Sequence, residues 1–159
     1  MESLRHFGFL LKDVSRLYSR NFERRAAGLR LTLEQCRVLA WLERSEGISQ
    51  ARLAELTDTN PMTLGRLLTR MEKDRLVTRR PDPADRRAQK LYLAKASAPL
   101  LKKIGRLAES TREDAMAALP DRDRERLVEL MQHLHANLEA LVPGTADRPK
   151  PGRAKPGRI

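Results

Sequence analysis

Apolar residues recur at steps of three and four along most of this chain, which is the spacing of amphipathic helices. The pattern predicts helices over about residues 5–27, 33–44, 50–56, 61–74, 97–118 and 121–141. Gly28 is a candidate end for the first helix, because glycine often follows the last helical turn. The chain is therefore predicted to be mainly helical.

Capping residues mark the starts of three of these helices. Thr32 and Gln35 stand at capping-box spacing, so each side chain can accept a hydrogen bond from the backbone N–H of the other. Ser49 can cap the next helix. Asn60 followed by Pro61 is typical of an N-cap and a first helical residue, where the missing N–H of proline costs nothing.

One stretch departs from the helical pattern. Residues 77–80 and 89–93 are short strand candidates on either side of the turn cluster 81–85, which holds two prolines and two aspartates. Together they predict a β-hairpin with a charged tip. Three helices followed by such a hairpin predict a winged helix-turn-helix, in a mainly α fold with a small β-hairpin wing.

The charge is strongly positive and unevenly spread. Lys and Arg number 32 against 21 Asp and Glu, a net charge of +11. Residues 1–44, 45–95 and 143–159 each carry +4, whereas residues 96–142 carry −1. A chain of this kind favours polyanions, nucleic acid first. The tail 143–159, rich in Pro, Gly, Lys and Arg, is expected to be disordered in isolation.

The helix over 61–74 carries the chemistry for DNA. Its apolar residues share one side, and the opposite side holds Met62, Thr63, Arg66, Thr69, Arg70 and Lys73. Arginine can fork onto a guanine edge, and Thr or Met can contact a thymine methyl. The alternative interpretation is an ordinary solvated helix face.

The hairpin tip favours DNA binding over the interpretation as an ordinary solvated helix face. Arg79, Arg80, Arg86 and Arg87 cluster there, and arginine fits the narrow, electronegative minor groove. Asp85 can pair with a neighbouring arginine and orient it. A basic hairpin directly after a basic helix is hard to explain as an ordinary charged loop.

These residues resemble the MarR family of bacterial transcription regulators. The resemblance covers about residues 5–141, and the wing sequence Arg80-Pro81-Asp82-Pro83-Ala84-Asp85-Arg86-Arg87 is its most specific part. Leu91-Tyr92-Leu93 follows this wing sequence. The resemblance is also carried by Leu31-Thr32-Leu33-Glu34-Gln35, Val38-Leu39, Ser49-Gln50-Ala51-Arg52-Leu53-Ala54, Pro61-Met62-Thr63, Leu67-Leu68, Met71-Glu72 and Leu76-Val77. Tyr18-Ser19-Arg20-Asn21-Phe22-Glu23-Arg24-Arg25 fits the first helix of the family.

The resemblance implies a homodimer that binds pseudo-palindromic operators in double-stranded DNA, commonly as a repressor. The helix over 61–74 would lie in the major groove and Arg87 in the minor groove. The residues expected to contact DNA are Ser49, Gln50, Asn60, Pro61, Met62, Thr63, Arg66, Thr69, Arg70, Arg80, Asp85, Arg86 and Arg87.

The expected organisation places a helical dimerisation region around the DNA-binding lobe. It consists of an N-terminal dimerisation helix (1–30), the winged helix-turn-helix (31–95), C-terminal dimerisation helices (96–142) and the basic tail (143–159). The wide apolar stripes of the long helices agree independently, because so small a lobe cannot cover them and a two-fold partner can.

Four positions depart from the family pattern, and one of them is Cys36, which stands where many relatives have tryptophan. Arg75 replaces a glycine, so it is strained if that position is left-handed. Ala94 replaces a capping threonine, for which Ser97 is a substitute. Gly65 lies in mid-helix, where it either lets the backbone approach DNA or is simply tolerated at a cost of about 1 kcal/mol.

A ligand site is a weaker expectation. In the family, small aromatic or phenolic effectors bind between the dimer lobe and the winged helix. Tyr18, Phe22, Arg37 and Trp41 are the candidates for such a wall here. The alternative for the three aromatic residues is simple membership of the core.

Several classes of function are disfavoured. The lone Cys36 excludes an internal disulfide framework and fits better as a structural thiol than as a redox sensor, and His133 and His135 point to different helix faces. No metal site, cofactor, catalytic constellation or membrane span is expected, so a cytoplasmic non-enzyme is predicted. The leading hypothesis is a homodimeric, sequence-specific, ligand-responsive transcription regulator, and the alternative is a non-specific architectural DNA-binding protein.

Overall fold

The computed structural model describes residues 2–85 and 88–141. The helices are α1 (Glu2–Arg5), α2 (Phe7–Ala26), α3 (Leu33–Arg44), α4 (Gln50–Leu56), α5 (Pro61–Lys73), α6 (Ala98–Met116) and α7 (Asp121–Leu141). The strands are β1 (Val77–Pro81) and β2 (Gln89–Leu93). The predicted class, mainly α with a β-hairpin wing, is confirmed.

The capping predictions hold in detail. The Thr32 hydroxyl accepts from the Gln35 N–H at 3.2 Å, and the Gln35 side chain accepts from the Thr32 N–H at 2.8 Å. Ser49 accepts from the N–H of Arg52, and Asn60 caps α5 with Pro61 in its first turn. Local side-chain chemistry therefore places the starts of α3, α4 and α5.

The first helix ends differently from the prediction. Gly28 lies inside a 3₁₀ turn, Ala27–Leu29, and the left-handed residue that follows it is Arg30, with φ 54°. The expected stop at Gly28 is therefore displaced by two residues. Further upstream, α1 and α2 are assigned as separate helices with His6 between them.

The chain divides into two compact units, one ending at Ala115 and the other beginning at Met116. The core of the first unit is built from α2, α3, α4, α5, both strands and α6. Its most deeply buried side chains include Val38, Leu39, Leu42, Leu53, Leu64, Leu68, Met71, Val77 and Leu91. The predicted split into dimerisation helices and a DNA-binding lobe concerns function and stays a prediction.

The hairpin has a third partner that the sequence pattern did not indicate. β1 and β2 pair antiparallel, with Val77 opposite Leu93 and Pro81 opposite Gln89. The segment after α3 lines the free edge of β2, where the Gly47 N–H donates to the Leu91 carbonyl at 2.8 Å. The Leu91 N–H donates to the Ile48 carbonyl at 2.9 Å. The hairpin is thereby tied to the α3–α4 connection.

Cys36 lies in the core, with 2% of its surface exposed. Burial raises the pKa of its thiol to about 11, since desolvation disfavours the thiolate. The thiol is therefore protonated at neutral pH, which agrees with the structural interpretation and opposes the reactive one.

The end of α5 is a Schellman turn with a strained residue. The Leu76 N–H donates to the Met71 carbonyl at 2.8 Å, and the Arg75 N–H donates to the Glu72 carbonyl at 3.0 Å. Arg75 itself is left-handed, with φ 58°. Glycine is the usual residue at this position of the motif, because it has no Cβ to crowd the following backbone.

Replacing Arg75 with glycine is expected to raise the free energy of unfolding by about 0.5–1 kcal/mol, since the left-handed strain exceeds the entropy that glycine adds to the unfolded chain. Chemical denaturation measures it. Arg75→Ala is the matched control, because it removes the same charge and keeps the strain. An equal gain in the alanine variant would assign the effect to charge and contradict the prediction.

Candidate nucleic-acid interface

The exposed face of α5 carries the residues of this helix that the sequence predicts to contact DNA bases. The helix buries Leu64, Leu68 and Met71 on one side. Met62, Thr63, Arg66, Thr69, Arg70 and Lys73 are all exposed, as the helical spacing predicts. A shallow, open depression on this face is lined by Met62, Gly65, Arg66, Thr69 and Arg70.

Two guanidinium groups flank this depression. Neither Arg66 nor Arg70 has a hydrogen-bond or ion-pair partner among residues 2–85 and 88–141. Elsewhere on the surface of the same unit, arginines such as Arg16 and Arg37 are paired with carboxylates three residues away. The guanidinium donors of the two arginines on α5 are therefore exposed to solvent.

Met62 adds an apolar element beside these cations. Its side chain is 71% exposed at the start of α5. A thioether placed there can contact a thymine methyl, while guanidinium groups can donate to guanine acceptors. The face thus combines the two chemistries that read base edges in a major groove.

Gly65 lies in the floor of the depression and faces α4. A Cβ at this position would stand 3.3 Å from Nε2 of Gln50. The glycine therefore allows the Gln50 side chain to lie close to α5. The neighbour found here is Gln50 of the chain itself, and an approach of the α5 backbone to DNA at Gly65 stays a prediction.

The remaining predicted contacts of the helical part serve as caps. The Ser49 hydroxyl accepts from the Arg52 N–H at 3.1 Å. The Asn60 side chain accepts from the Met62 N–H at 2.9 Å. Ser49 stands at the start of α4 and Asn60 at the start of α5, and their contact with DNA stays a prediction.

The wing, defined as β1, β2 and their connecting loop (residues 77–93), has an ordered base. The Asp82 carboxylate accepts from the Ala84 N–H at 2.9 Å and pairs with Lys90 at 3.5 Å. The Arg80 guanidinium lies over the Tyr92 ring, 4.5 Å from its centroid. This cation–π contact holds Arg80 on the face of the hairpin.

Arg86 and Arg87 lie outside the described residues, so their contacts with DNA stay predictions. Asp85, the predicted orienting residue, is exposed and makes a polar interaction.

Arg79 corrects the predicted cluster of four wing arginines. Its guanidinium does not extend from the hairpin towards solvent. It donates instead to α5, at the Gly65 carbonyl, the Thr69 hydroxyl and the Glu72 carboxylate. The sequence pattern missed this arrangement because it arises from contacts between residues 7 to 14 positions apart.

The four residues predicted for a ligand site lie in different environments. Phe22 is part of the core, 7% exposed, and Trp41 is half-buried against that core. Tyr18 is exposed on α2. Arg37 donates to the Ser19 hydroxyl at 3.2 Å, which links α3 to α2. The ligand site stays a prediction.

An ion pair joins α2 to α6 in the same unit. The Arg25 guanidinium and the Asn21 side chain both donate to the Asp114 carboxylate. These donors hold the pKa of Asp114 below its ordinary value, because they stabilise the charged form. The link therefore ties α2 to α6.

Two other kinds of feature are absent from the described residues. Among the described residues, no group of three or more His, Cys, Asp or Glu side chains is placed to hold a metal ion. Within the same ranges, no helix has the length and apolar character that crossing a membrane requires.

Known proteins resemble parts of this sequence and share its fold. Residues 29–88 match a sequence model of the MarR family. Transcriptional regulator HosA of Escherichia coli O111:H- is 29% identical over 104 residues, which cover 65% of this chain and 77% of HosA.

Two solved structures illustrate the likeness in fold. A MarR transcriptional regulator from Methanosarcina mazei Go1 superposes with a TM-score of 0.79 at 19% identity, covering 87% of this chain and 99% of the other. The transcriptional repressor CouR, solved with a 23-mer DNA duplex, gives a TM-score of 0.67 at 26% identity, covering 81% and 91%. The order of helices and wing is therefore shared.

Proposed function

Because this chain belongs to the MarR family of transcriptional regulators, we propose that it is a homodimeric, sequence-specific repressor that responds to a small ligand. DNA binding is the part of this proposal that rests on the family alone. Four parts of the proposal go beyond DNA binding: the homodimer, the sequence specificity, the repression and the ligand. Each has its own support.

Sequence specificity rests on one observation, the two unpaired guanidinium groups beside Met62 on α5. Phosphate contacts orient a protein on DNA, but base-edge contacts select the sequence. A rigid helix that presents Arg66 and Arg70 without competing carboxylates on the same face suits base-edge contact. We therefore assign α5 to the major groove as the recognition helix.

The wing supplies the second contact with the duplex. Arg80, held over Tyr92, lies on the hairpin that follows the recognition helix. Arg86 and Arg87 occupy its tip in the sequence. Arginine at the end of a hairpin suits the narrow minor groove beside the major-groove site.

The homodimer is supported by α7. None of its 21 described residues is buried. Its exposed apolar side chains are Leu127, Val128, Leu130, Met131, Leu134, Leu138 and Leu141. An exposed stripe of this size is typical of an interface. A second copy of the chain suits it, because most soluble oligomers are symmetric homo-oligomers.

The first half of α2 is also uncovered. Phe9, Leu10, Val14 and Leu17 are each more than half exposed, whereas Phe22 and Ala26 near the other end of the helix lie in the core. The helix therefore changes from core packing to an unpaired apolar face along its length. Such a face agrees with the N-terminal dimerisation helix predicted from the sequence.

Repression follows from occupancy of an operator, and CouR, a repressor solved with a DNA duplex, supports the same role here. For the ligand, a small aromatic or phenolic effector is the proposed class, and the exposed Tyr18 and Arg37 with the half-buried Trp41 are the candidates to contact it. Its binding would favour one spacing of the two recognition helices.

Selection from random duplex DNA tests the proposed function. The expected result is a pseudo-palindrome whose half-sites lie about one helical turn apart, 10–10.5 bp. Strong retention without an enriched motif would overturn sequence specificity and favour the architectural alternative. No retention at low salt would contradict DNA binding itself.

A thermal-shift screen with small aromatic acids tests the ligand. A ligand at 100 times its Kd should stabilise the protein by about 2.7 kcal/mol. Arg37→Ala should abolish this shift if Arg37 binds the carboxylate, and Arg44→Ala on the same helix is the charge-matched control. Equal shifts in both variants would remove Arg37 from the site.

A further inference from the structure

Arg79 joins the wing to the recognition helix through a set of short contacts. Its NH1 donates to Thr69 Oγ1 at 3.2 Å and to Glu72 Oε2 at 3.1 Å. Its NH2 donates to the Gly65 carbonyl at 2.9 Å and to Thr69 Oγ1 at 3.2 Å. One guanidinium on β1 therefore contacts two successive turns of α5.

The backbone of the wing takes part in the same contact. The Arg79 N–H donates to Glu72 Oε1 at 3.1 Å. Both oxygens of the Glu72 carboxylate are thus bound by one residue of β1. This two-point contact fixes the register of the strand against the helix as well as their distance.

Burial distinguishes Arg79 from the arginines that face outwards. Its side chain is 21% exposed, whereas Arg66, Arg70 and Arg80 are classed as exposed residues. Its Nε is buried and has no hydrogen-bond partner among the described residues. Burial of a guanidinium with one donor unsatisfied carries a desolvation cost, which the remaining charge-assisted bonds offset.

We propose that Arg79 is a positioning residue that sets the spacing between the recognition helix and the wing, so that one duplex can receive both. This inference rests on the proposed function of α5 and the wing. Arg79 acts without touching the DNA, because its donors are directed to α5. A rigid pair of contacts avoids the ordering cost that a loosely attached wing would incur on binding.

The Arg79 contact also fixes the Thr69 side chain on the exposed face of α5. The Thr69 hydroxyl donates to the Gly65 carbonyl at 3.0 Å and accepts from Arg79. Its polar capacity is therefore used inside the protein, and only its methyl remains for a base. Thr69 also lines the depression beside Arg66 and Arg70. Arg79 therefore holds in place one of the residues that form this depression.

Arg79→Lys is the decisive variant, because it keeps the charge and loses the planar fork. An ammonium cannot reach the Gly65 carbonyl, the Thr69 hydroxyl and the Glu72 carboxylate with the same geometry. We expect affinity for the selected operator to fall about tenfold, as for one displaced base contact. Affinity for random duplex and the salt dependence should stay unchanged, since the charge is kept.

Glu72→Gln tests whether Arg79 acts through its partner. The single substitution should weaken operator binding less than Arg79→Lys. The double variant should bind as Arg79→Lys does, because both changes break one contact and their effects are then non-additive. Additive losses would overturn this coupling.

Arg25→Lys is the matched control. Arg25 also forks onto a carboxylate, Asp114, between two helices of the same unit, but it lies outside the wing and α5. It should lower stability and leave the operator affinity of the folded protein unchanged. An equal loss of operator affinity in both lysine variants would reduce Arg79 to a general stabilising role and overturn the proposal.

Hydrogen exchange separates this inference from the proposed function. In Arg79→Lys without DNA, amides of residues 77–93 should exchange faster while those of α3 do not. Unchanged exchange in the wing would overturn the inference even if the protein binds its operator. If the native protein retained no duplex, the proposed function would fail, and with it the role of Arg79 in DNA binding.

Discussion

Replacing Leu134 with aspartate is expected to separate the homodimer and to lower operator affinity about 10²–10⁴-fold, the range that two linked contacts lose when they become independent. Leu134 lies in the middle of the α7 stripe and is 36% exposed in the single chain. An unpaired carboxylate there must be desolvated when a second copy covers it, which opposes association strongly. Analytical ultracentrifugation measures the mass, and a binding titration measures the affinity.

Ala136→Asp is the matched control for this substitution. It places the same carboxylate on the same helix, about 200° around the axis from Leu134. Ala136 is exposed and outside the apolar stripe. This variant should remain a dimer and keep its operator affinity. A Leu134→Asp protein that stays dimeric would remove the α7 stripe from the interface.

Arg66→Ala and Arg70→Ala are each expected to weaken operator binding by about 1–3 kcal/mol and to relax preference at one base pair of each half-site. The reason is that neither guanidinium group has a hydrogen-bond or ion-pair partner within the part of the chain that the structure describes. Each substitution removes its contact from both half-sites of a symmetric complex. Binding to a panel of operators with single base changes measures the effect.

Arg106→Ala controls for the loss of positive charge. Arg106 lies on α6, away from α5 in the sequence, and is exposed. Its removal should weaken operator and random DNA alike, if either changes, because general electrostatic attraction carries no sequence information. If Arg66→Ala lowered both affinities equally, the recognition helix would only contact phosphates.

The substitutions on α7 and on α5 are expected to change different properties of DNA binding. The α7 variant changes the number of half-sites that one particle can bind, whereas the α5 variants change what each half-site recognises. Monomers of Leu134→Asp should therefore keep the base preference of a single half-site at much lower affinity. The Arg66 and Arg70 variants should keep their dimeric mass.

Features that depend on near neighbours in the chain were predictable. The capping box of Thr32 and Gln35 needs residues only three positions apart, and Asn60 with Pro61 acts within one turn of α5. The apolar and basic sides of α5 also follow from helical spacing alone. Because these interactions are local, the sequence places the helix starts and the exposed Arg66 and Arg70 correctly.

The family pattern added a feature that periodicity could not supply. At Arg75 the family has a glycine, and the structure shows the left-handed backbone that the substitution suggested, with φ 58°. The end of α2 lacked such a guide. There the residue that turns left-handed is Arg30 and not Gly28, because the 3₁₀ turn extends the helix by three residues.

By itself, then, the sequence determined the helices and their caps, the hairpin and the side of α5 that faces outwards, since each depends on local spacing. Only the tertiary structure decided that Arg79 lies against α5, that residues 46–49 line β2, and that Phe22 belongs to the core. The physical reason is that these side chains choose among distant partners. A guanidinium on β1 binds the acceptors that folding brings to it, and no local pattern specifies that choice.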